Sequence, residues 1–362
     1  MKSYRSTFAR FLLAKWTFNK PKKKYFLIYD KESEKKLYLI CAKQDCEVLD
    51  VRYESINFYI IFLTLIRGGI KNLKNNYKLN YIKAVSPKII ITTFNWNPSF
   101  FKLKDIYSKA IYINIISNTV DNRFINECNK YYSNKKNKRL KADHIFLPGK
   151  YYKDIFSSII DSKIHILGSF LNNHFYLKEK KKFNQIQSVL FISQINPDWM
   201  KDRYATERDL EHKLNREVII FSALYNYCKK KKYKLNFCAK YGPSFENYYR
   251  RKHVKGDWNF LPKTKLGSSY DLVNNSQLIV FTNSSLGLEA LVKGMRCISF
   301  PPEDFPVVDF AKKYPSTGPF WSYTFSYEIM ESYIEKIVKY SDEEWSEIIK
   351  KNIGDIMDYD PK

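Results

Sequence analysis

Two successive series of apolar runs, separated by one charged stretch, constrain the fold of this chain most. In each series, short apolar runs that end in a polar residue alternate with helical or mixed segments. The charged stretch between them, Leu177–Gln187, has no clear apolar period. Buried parallel strands are apolar throughout, and strands that alternate with helices form a doubly wound α/β domain. The pattern therefore predicts two such domains joined by a linker, which suits a length of 362 residues.

The predicted elements are assigned from apolar runs and helical periods. The predicted strands are Tyr25–Tyr29, Lys36–Cys41, Lys88–Thr93, Ala110–Ile116, His144–Leu147, Lys163–Leu167, Ser188–Ser193, Leu235–Cys238, Leu278–Phe281 and Cys297–Phe300. The predicted helices include Ser55–Arg67, Leu73–Val85, Glu217–Lys230, Ser269–Asn274 and Leu286–Lys293. The tail is predicted to be helical, because Ser341 and Glu344 have the spacing of a capping box.

The charge of the chain indicates either an anionic partner or codon bias. Lys and Arg number 62 against 37 Asp and Glu, a net charge of +25. Nucleic acid, a phospholipid surface or a phosphorylated substrate would each suit that charge. An AT-rich genome would also enrich Lys, Asn, Ile, Tyr and Phe.

A mean hydropathy of −0.45 excludes a polytopic membrane protein. Six cysteines without a CxxC pair predict free thiols in a reducing cytoplasm.

The N-terminal segment is predicted to be a basic amphipathic helix within residues 1–24. Met1–Lys20 interleaves aromatic and cationic residues, Pro21 ends the helix, and Lys22–Lys24 follow. Such a helix lies in an anionic membrane interface or packs on the body of the protein, and the sequence leaves both open. A membrane role would place the protein in the cytoplasm, on the cytoplasmic face of the inner membrane.

The segment from Leu278 to Phe300 carries the clearest chemistry. It predicts a strand, a tight polar turn, a helix that ends at Gly294, and a second strand. Asn283, Ser284 and Ser285 stand where the helix begins, so hydroxyls and backbone N–H groups together suit a phosphate. Glu289 follows one turn later, where a carboxylate can accept hydrogen bonds from two ribose hydroxyls. Alternatively, Ser284 is only an N-cap.

This segment resembles the donor-binding region of GT-B glycosyltransferases, in which a Ser-rich turn holds the nucleotide-sugar phosphate and a Glu holds the ribose. Most of the chain is similar to bacterial surface-carbohydrate (O-antigen) biosynthesis proteins. The matching segments are Pro21–Asp30, Asn97-Pro98 with Phe100–Leu103, Gly168-Ser169 with Asn172-Asn173, Phe191–Gln194, Ser284-Ser285 with Glu289, and Gly318–Trp321. The family's Gln-Asn-Gly-Thr-Arg-like turn is here Ile116-Ser-Asn-Thr-Val120, which retains only Thr119, expected on the acceptor side.

The resemblance implies an α/β protein with the GT-B fold, in which two Rossmann-like doubly wound domains face each other across a cleft. Residues 1–180 would form the acceptor domain and residues 186–318 the nucleotide-sugar donor domain. Residues 319–362 would be helices that pack back on the N-terminal domain. The implied activity is transfer of a sugar from a nucleotide-activated donor to a surface glycan or lipid-linked glycan, as in O-antigen, lipopolysaccharide or capsule assembly.

Further site residues follow from their places at predicted strand ends. Ser193 and Gln194 end the first strand of the second domain, Lys201 and Arg203 follow in a polar loop, and Lys240 follows Leu235–Cys238. The cations would neutralise a leaving phosphate or diphosphate. Each is otherwise a solvated surface charge.

Three carboxylates are candidates for a base that deprotonates the acceptor hydroxyl: Asp30, which is favoured, Glu32 and Asp121. A retaining enzyme would need no such base. Neither the histidines nor the carboxylates have the spacing of a metal site, so no metal is expected. No cofactor is expected beyond the nucleotide sugar as co-substrate.

Two other functions remain open. An inactive sugar- or nucleotide-binding homologue would explain the altered turn at residues 116–120. A basic nucleic-acid-binding protein would explain the net charge of +25. Nucleic acid is nevertheless not an expected partner, because no RRM, KH, zinc or helix-turn-helix signature is present.

Overall fold

The described residues form two large parallel sheets and one small, two-stranded parallel sheet. The computed structural model describes residues 14–52, 55–68, 73–93, 98–117, 122–134, 139–175, 185–194, 207–239, 253–302 and 315–359. The strands are β1 Lys15–Thr17, β2 Phe26–Tyr29, β3 Cys46–Leu49, β4 Ser55–Asn57, β5 Ile89–Thr92, β6 Ile111–Ile115, β7 Leu140–Leu147, β8 Ile160–Ile166, β9 Ser188–Ile192, β10 Lys234–Cys238, β11 Asn259–Leu261, β12 Leu278–Phe281 and β13 Arg296–Ser299.

Helices connect these strands and complete the C-terminus. They are α1 Lys31–Leu37, α2 Phe58–Gly68, α3 Leu73–Val85, α4 Ser99–Lys104, α5 Asn122–Asn134, α6 Tyr151–Ile159, α7 Phe170–His174, α8 Glu207–Lys231, α9 Ser268–Asn274, α10 Ser285–Val292, α11 Tyr327–Ile337 and α12 Asp342–Ile353. Within the described residues, no helix is both long enough and apolar enough to cross a membrane.

The first sheet has six strands in the order β3-β2-β5-β6-β7-β8. All its strand pairs are parallel. The first strand of the series, β2, lies between β3 and β5, so the direction of strand addition reverses between β2 and β5. Ligands of doubly wound sheets bind at such a reversal, beyond the carboxyl ends of the strands.

The second sheet has five strands in the order β11-β10-β9-β12-β13. Its pairs are also parallel, and its direction of strand addition reverses between β9 and β12. The core strands are apolar on both faces; Val189, Leu190 and Phe191 are all fully buried. Both sheets confirm the predicted doubly wound α/β class.

The chain divides into two compact units, residues 1–170 and 171–362. The C-terminal helices α11 and α12 pack in the hydrophobic core of the second unit, where Trp345 is fully buried. That residues 319–362 also pack on the first domain stays a prediction of the resemblance. Their anchor is local: the Trp345 indole donates to the Met295 carbonyl, and Arg296 lies 3.0 Å from Asp342.

The N-terminal prediction of a helix is wrong where the structure describes it. Lys15–Thr17 forms strand β1, which pairs in parallel with Ser55–Asn57. The Asn57 amide donates to the Thr17 hydroxyl and to the Asn19 carbonyl. This pairing outweighs the local helical pattern, because tertiary contacts override weak propensities. Residues 1–13 lie outside the described residues.

The predicted strand Lys36–Cys41 is also wrong. Its first residues belong to α1, which Asp30 caps by accepting from the Glu32 amide. The helical turn continues through Cys41, whose amide donates to the Leu37 carbonyl. The strand beside β2 is instead β3, and β11 is a further strand that the sequence pattern misses.

Other local predictions are confirmed. Leu278–Phe281 and Leu73–Val85 have their predicted bounds. Ser341 and Glu344 form both hydrogen bonds of the capping box. Gly294, predicted to end α10, adopts a φ of 81°, which a glycine accommodates without the clash of a side chain.

Candidate functional site

The reversal point of the second sheet gathers polar residues from two strand ends. Ser193 and Gln194 follow β9, and Thr282, Asn283, Ser284 and Ser285 follow β12. Strands β9 and β12 are hydrogen-bonded neighbours, with Ile192 opposite Phe281. The predicted donor residues that the structure describes in these two segments therefore lie at one edge of one sheet.

A buried carboxylate on helix α8 joins these two strand ends. The Ser193 hydroxyl donates to Glu217 Oε2 at 2.7 Å, and the backbone N–H of Gln194 donates to Oε1 at 2.9 Å. The Thr282 hydroxyl donates to the same Oε1 at 3.1 Å. Glu217 is only 3% exposed, and the bonds from the Ser193 and Thr282 hydroxyls are buried, so they hold both strand ends firmly.

The neighbouring residue Arg216 fixes the next loop. Its guanidinium donates to the carbonyls of Phe300, Pro301 and Tyr323. The Ser299 hydroxyl in turn donates to the Thr282 carbonyl at 2.9 Å. Two adjacent residues of one helix thus position the carboxyl ends of β9, β12 and β13 together.

Helix α10 begins directly at the Ser-rich turn. Ser284 is its N-cap and is 2% exposed, yet within the described residues its side chain makes no capping hydrogen bond. The first-turn N–H groups of a helix have no partner inside the helix, and the helix dipole is positive there. The turn therefore has the donors and the potential that an anion such as a phosphate requires.

Gly287 allows this helix to lie close to its strand. A Cβ built at Gly287 would stand 2.5 Å from the ring of Phe281, the last residue of β12. Only a residue without a side chain permits that approach. Dinucleotide sites use glycine at an equivalent contact between helix and strand.

Glu289 lies deeper than the sequence predicts. It is 3% exposed, and its Oε2 accepts from the Tyr270 hydroxyl at 2.6 Å. The Lys293 ammonium lies 5.2 Å from the centre of the Tyr270 ring and donates to the Phe175 carbonyl. Burial lowers the pKa of Lys293 to about 8, and Glu289 opposes that shift.

The reversal point of the first sheet contains a second polar cluster. Asp30 follows β2, is fully buried and has a φ of 84°. Its Oδ1 accepts from the Glu32 amide and its Oδ2 from Arg52 Nε, at 2.9 and 3.0 Å. Burial raises the pKa of Asp30, while the Arg52 guanidinium opposes that rise. The Arg52 guanidinium also contacts Glu32, whose side chain is 53% exposed.

Hydroxyl groups tie the neighbouring strand into this cluster. Ser33 on α1 shares a hydrogen bond with Thr92 and accepts from the amide and hydroxyl of Thr93. The Lys78 ammonium donates to the Tyr29 hydroxyl at 3.1 Å, which shares a 2.7 Å hydrogen bond with Ser99. The edge is thus polar but mostly buried.

Lys78 gives the cluster a measurable pH dependence. Burial lowers its pKa from 10.5 to about 8, so the folded state favours the neutral amine more than the unfolded chain does. Its stabilising contribution is therefore complete above pH 10.5 and is lost as the pH falls through about 8. We expect the free energy of unfolding of Lys78→Met, relative to wild type, to fall by on the order of 3 kcal/mol as the pH rises across this window.

Urea unfolding of both proteins across that range measures this difference. Lys83→Met on the same helix is the control, because Lys83 is exposed. A constant difference between Lys78→Met and wild type across the range would contradict the prediction.

The predicted site residues therefore fall into three groups. The structure brings Ser193, Gln194, Asn283, Ser284 and Ser285 together at the second sheet, with Glu289 one helical turn away. Asp30 and Glu32 lie together at the first sheet. The third group lies outside the described residues: Thr119, Asp121, Lys201, Arg203 and Lys240.

Sequence reasoning missed Arg216 and Glu217. The signal was nevertheless present, because Glu217 precedes Ile220, Phe221 and Leu224 by three, four and seven residues. All three are fully buried, so a charged residue occupied a core position of the helix. A buried carboxylate there requires polar partners, and the two strand ends provide them.

Comparisons with known proteins match this architecture. A family model described as "putative O-antigen biosynthesis protein" matches residues 118–362. No curated protein matches the chain in sequence. Among solved structures, the UDP-GlcNAc 2-epimerase of Methanocaldococcus jannaschii in complex with UDP-GlcNAc and UDP is 11% identical, with a TM-score of 0.51 over 91% of this chain and 99% of that one.

Two further epimerase structures are similar. One from Listeria monocytogenes, a putative UDP-N-acetylglucosamine 2-epimerase, is 12% identical with a TM-score of 0.55 and covers 92% of this chain and 93% of its own. One from Neisseria meningitidis, bound to UDP-GlcNAc, is 10% identical with a TM-score of 0.52 and covers 92% and 97%. At these identities the likeness shows the fold alone, which is GT-B, as predicted.

Proposed function

The chain belongs to the family of O-antigen biosynthesis proteins, and from that premise we propose that it is a glycosyltransferase of surface-glycan assembly. It would transfer a sugar from a nucleotide-activated donor to a surface glycan or a lipid-linked glycan. The observation that carries this proposal is the polar edge at the reversal point of the second sheet. Glu217 joins two strand ends there, beside the N-terminus of helix α10.

On the donor side, we propose that the turn Asn283–Ser285 and the first N–H groups of α10 bind the donor phosphates. Ser193 and Gln194 would line the same pocket, and Glu289 would orient the ribose. Lys201, Arg203 and Lys240 are the proposed cations that stabilise the leaving phosphate. Fixed donors aimed at the oxygen where charge develops lower the barrier, because they need no reorganisation during transfer.

On the acceptor side, Glu32 is the better base of the two described carboxylates. Asp30 is fully buried, and both of its oxygens already accept hydrogen bonds. The half-exposed Glu32 is accessible to an acceptor hydroxyl, although it pairs with Arg52. Asp121 and the acceptor-side residue Thr119 remain candidates on sequence grounds. A base positioned at the acceptor contributes about 10²–10⁴-fold to a rate.

The proposal is tested by nucleotide release from a panel of UDP-, GDP-, CDP- and CMP-activated sugars, with and without a lipid-linked glycan acceptor. We expect release from one donor class, dependent on the acceptor. Ser284→Ala should raise the KM or Kd for that donor about tenfold or more, since a hydrogen bond to a charged group is worth about 1.5–3 kcal/mol. Glu32→Gln should lower kcat about 100-fold without weakening donor binding.

Each other outcome has a defined meaning. Nucleotide binding without turnover would identify an inactive binding homologue. Isomerised nucleotide sugar in the absence of acceptor would identify an epimerase. Full activity of Glu32→Gln would exclude Glu32 as the base and leave Asp121 as the candidate.

A further inference from the structure

Helix α2 and the adjoining strand expose an unusual set of large apolar side chains. Phe58, Phe62, Leu65 and Ile66 of the helix are 48%, 53%, 43% and 66% exposed, and the neighbouring Phe18 is 68% exposed. We call these five residues the Phe62 face. Single exposed apolar residues are ordinary on protein surfaces, whereas a contiguous group marks an interaction site.

Helix α2 buries only Ile60 and Thr64, while its largest apolar side chains are exposed. The helical members of the face follow the spacing i, i+4, i+7 and i+8, which is the spacing that a helix normally buries. Thr64 is instead fully buried; its hydroxyl donates to the Ile60 carbonyl and accepts from the Asn80 amide. The helix is therefore apolar on the face that the protein does not cover.

The face is continuous from the helix onto strand β1. The Phe18 and Phe58 rings are 5.7 Å apart, and the Trp16 and Phe58 rings are 6.5 Å apart. Strand β4, which pairs with β1, leads directly into α2. The aromatic residues of β1 and α2 thus form one surface on one structural unit.

Cations are the only charged residues in the two segments that carry this apolar surface. Lys15, Lys20, Lys22 and Lys23 are exposed in the segment that carries Phe18, and Arg67 is exposed on the helix. Residues 14–24 and 55–68 contain no Asp or Glu. An apolar face on segments whose charged residues are all cations is complementary to a surface that is negative outside and apolar beneath.

We propose that the Phe62 face docks on an anionic phospholipid bilayer, with its aromatic and aliphatic side chains at the boundary of headgroups and acyl chains. Eleven residues span about 16 Å as a helix, so α2 lies in the interface rather than crossing it. A second copy of the chain fits less well, because a symmetric contact would bring the lysines of both copies together. Residues 1–13 of this chain also fit less well as the occupant of the face. They contain no acidic residue, so their charge has the same sign as that of the lysines beside the face.

The docking face differs from the helix that the sequence predicts over residues 1–24, because its apolar residues are mostly those of α2. The proposal does not rest on the proposed transferase activity, since lipid binding needs no donor or turnover. The proposed partner is a phosphatidylglycerol-containing membrane. The surface that binds it contains no residue of either reversal point.

Flotation of the full-length protein with phosphatidylcholine vesicles and with phosphatidylglycerol-containing vesicles tests the proposal. We expect binding to the anionic vesicles. The substitutions Phe62→Ser/Ile66→Ser should weaken it about tenfold or more, because two large apolar side chains lose their burial in lipid. The substitutions Lys22→Gln/Lys23→Gln should weaken binding at low salt only, because salt screens surface charges.

Matched controls are available on the same chain. Ile106→Ser/Ile219→Ser removes two isoleucines that are 51% and 57% exposed elsewhere, and Lys350→Gln/Lys351→Gln removes two exposed lysines of α12. Both should bind like wild type. Wild-type protein that binds neither vesicle, or Phe62→Ser/Ile66→Ser that binds unchanged, would overturn the proposal. So would a dimer in sedimentation equilibrium that Phe62→Ser/Ile66→Ser abolishes while vesicle binding is absent.

Discussion

Glu217→Ala is expected to lower the free energy of unfolding by about 3–5 kcal/mol and to abolish nucleotide binding. The substitution removes the acceptor of two buried hydroxyls, on Ser193 and Thr282, and of the part-buried backbone N–H of Gln194. Each unsatisfied buried donor costs about 1–3 kcal/mol. The ends of β9 and β12 would then lose the group that joins them. Urea unfolding and calorimetric titration of the nucleotide measure the two effects.

Glu217→Gln separates the role in the site from the role in folding. The amide has nearly the same shape but only one acceptor oxygen, so it cannot accept from all three donors. We expect a smaller loss of stability than for alanine, with nucleotide affinity still reduced about tenfold or more. Glu347→Gln on the exposed side of α12 is the control and should match wild type. Unchanged affinity in a folded Glu217→Gln protein would remove Glu217 from the site.

The second large effect is expected from Gly287→Ala. The added methyl group would lie 2.5 Å from the Phe281 ring, so helix α10 must move away from β12 or the ring must leave its place. Overpacking of this kind lowers the free energy of unfolding by about 1–3 kcal/mol. The higher helix propensity of alanine raises it by up to about 1 kcal/mol. Because the shift moves the first N–H groups of α10, we expect nucleotide affinity to fall about tenfold or more.

Gly68→Ala provides a matched control in another helix. There the added Cβ would meet the flexible side chain of Asn76, whose amide nitrogen would lie 3.0 Å away. This variant should keep both its stability and its nucleotide affinity. Gly287→Ala protein with wild-type affinity would show that the close approach of α10 to β12 is not needed for binding.

Local sequence patterns predicted much of the fold because the central strands are short and wholly apolar. Leu278–Phe281 is fully buried and ends at a polar turn, so both its type and its bounds were evident. The capping box at Ser341 depends on residues three apart and was equally predictable. Such features need no knowledge of distant contacts.

The elements that sequence could not supply depend on distant partners. Lys15–Thr17 is a strand because Ser55–Asn57 pairs with it, some 40 residues later. The run Tyr38–Cys41 continues a helical turn because Asp30 starts the helix before it. Apolar runs of four or five residues do not distinguish strand from helix on their own.

The same limit applies to the candidate site. The turn at Ser284 was recognisable from its position between a strand and a helix. The role of Glu217 was not, because its three donors come from residues 23, 24 and 65 positions away. Burial of Asp30 also changed its interpretation, since a carboxylate with both oxygens engaged is a weaker candidate for a base than the exposed Glu32.

Calorimetric titration of UDP, CDP, GDP and CMP into wild-type and Glu217→Gln protein tests the central claim most directly. The claim is that the reversal point of the second sheet binds the nucleotide of an activated sugar. We predict that one nucleotide binds wild-type protein selectively and that folded Glu217→Gln binds it about tenfold more weakly or worse. Failure of all four nucleotides to bind wild-type protein, or equal binding to both proteins, would contradict the claim.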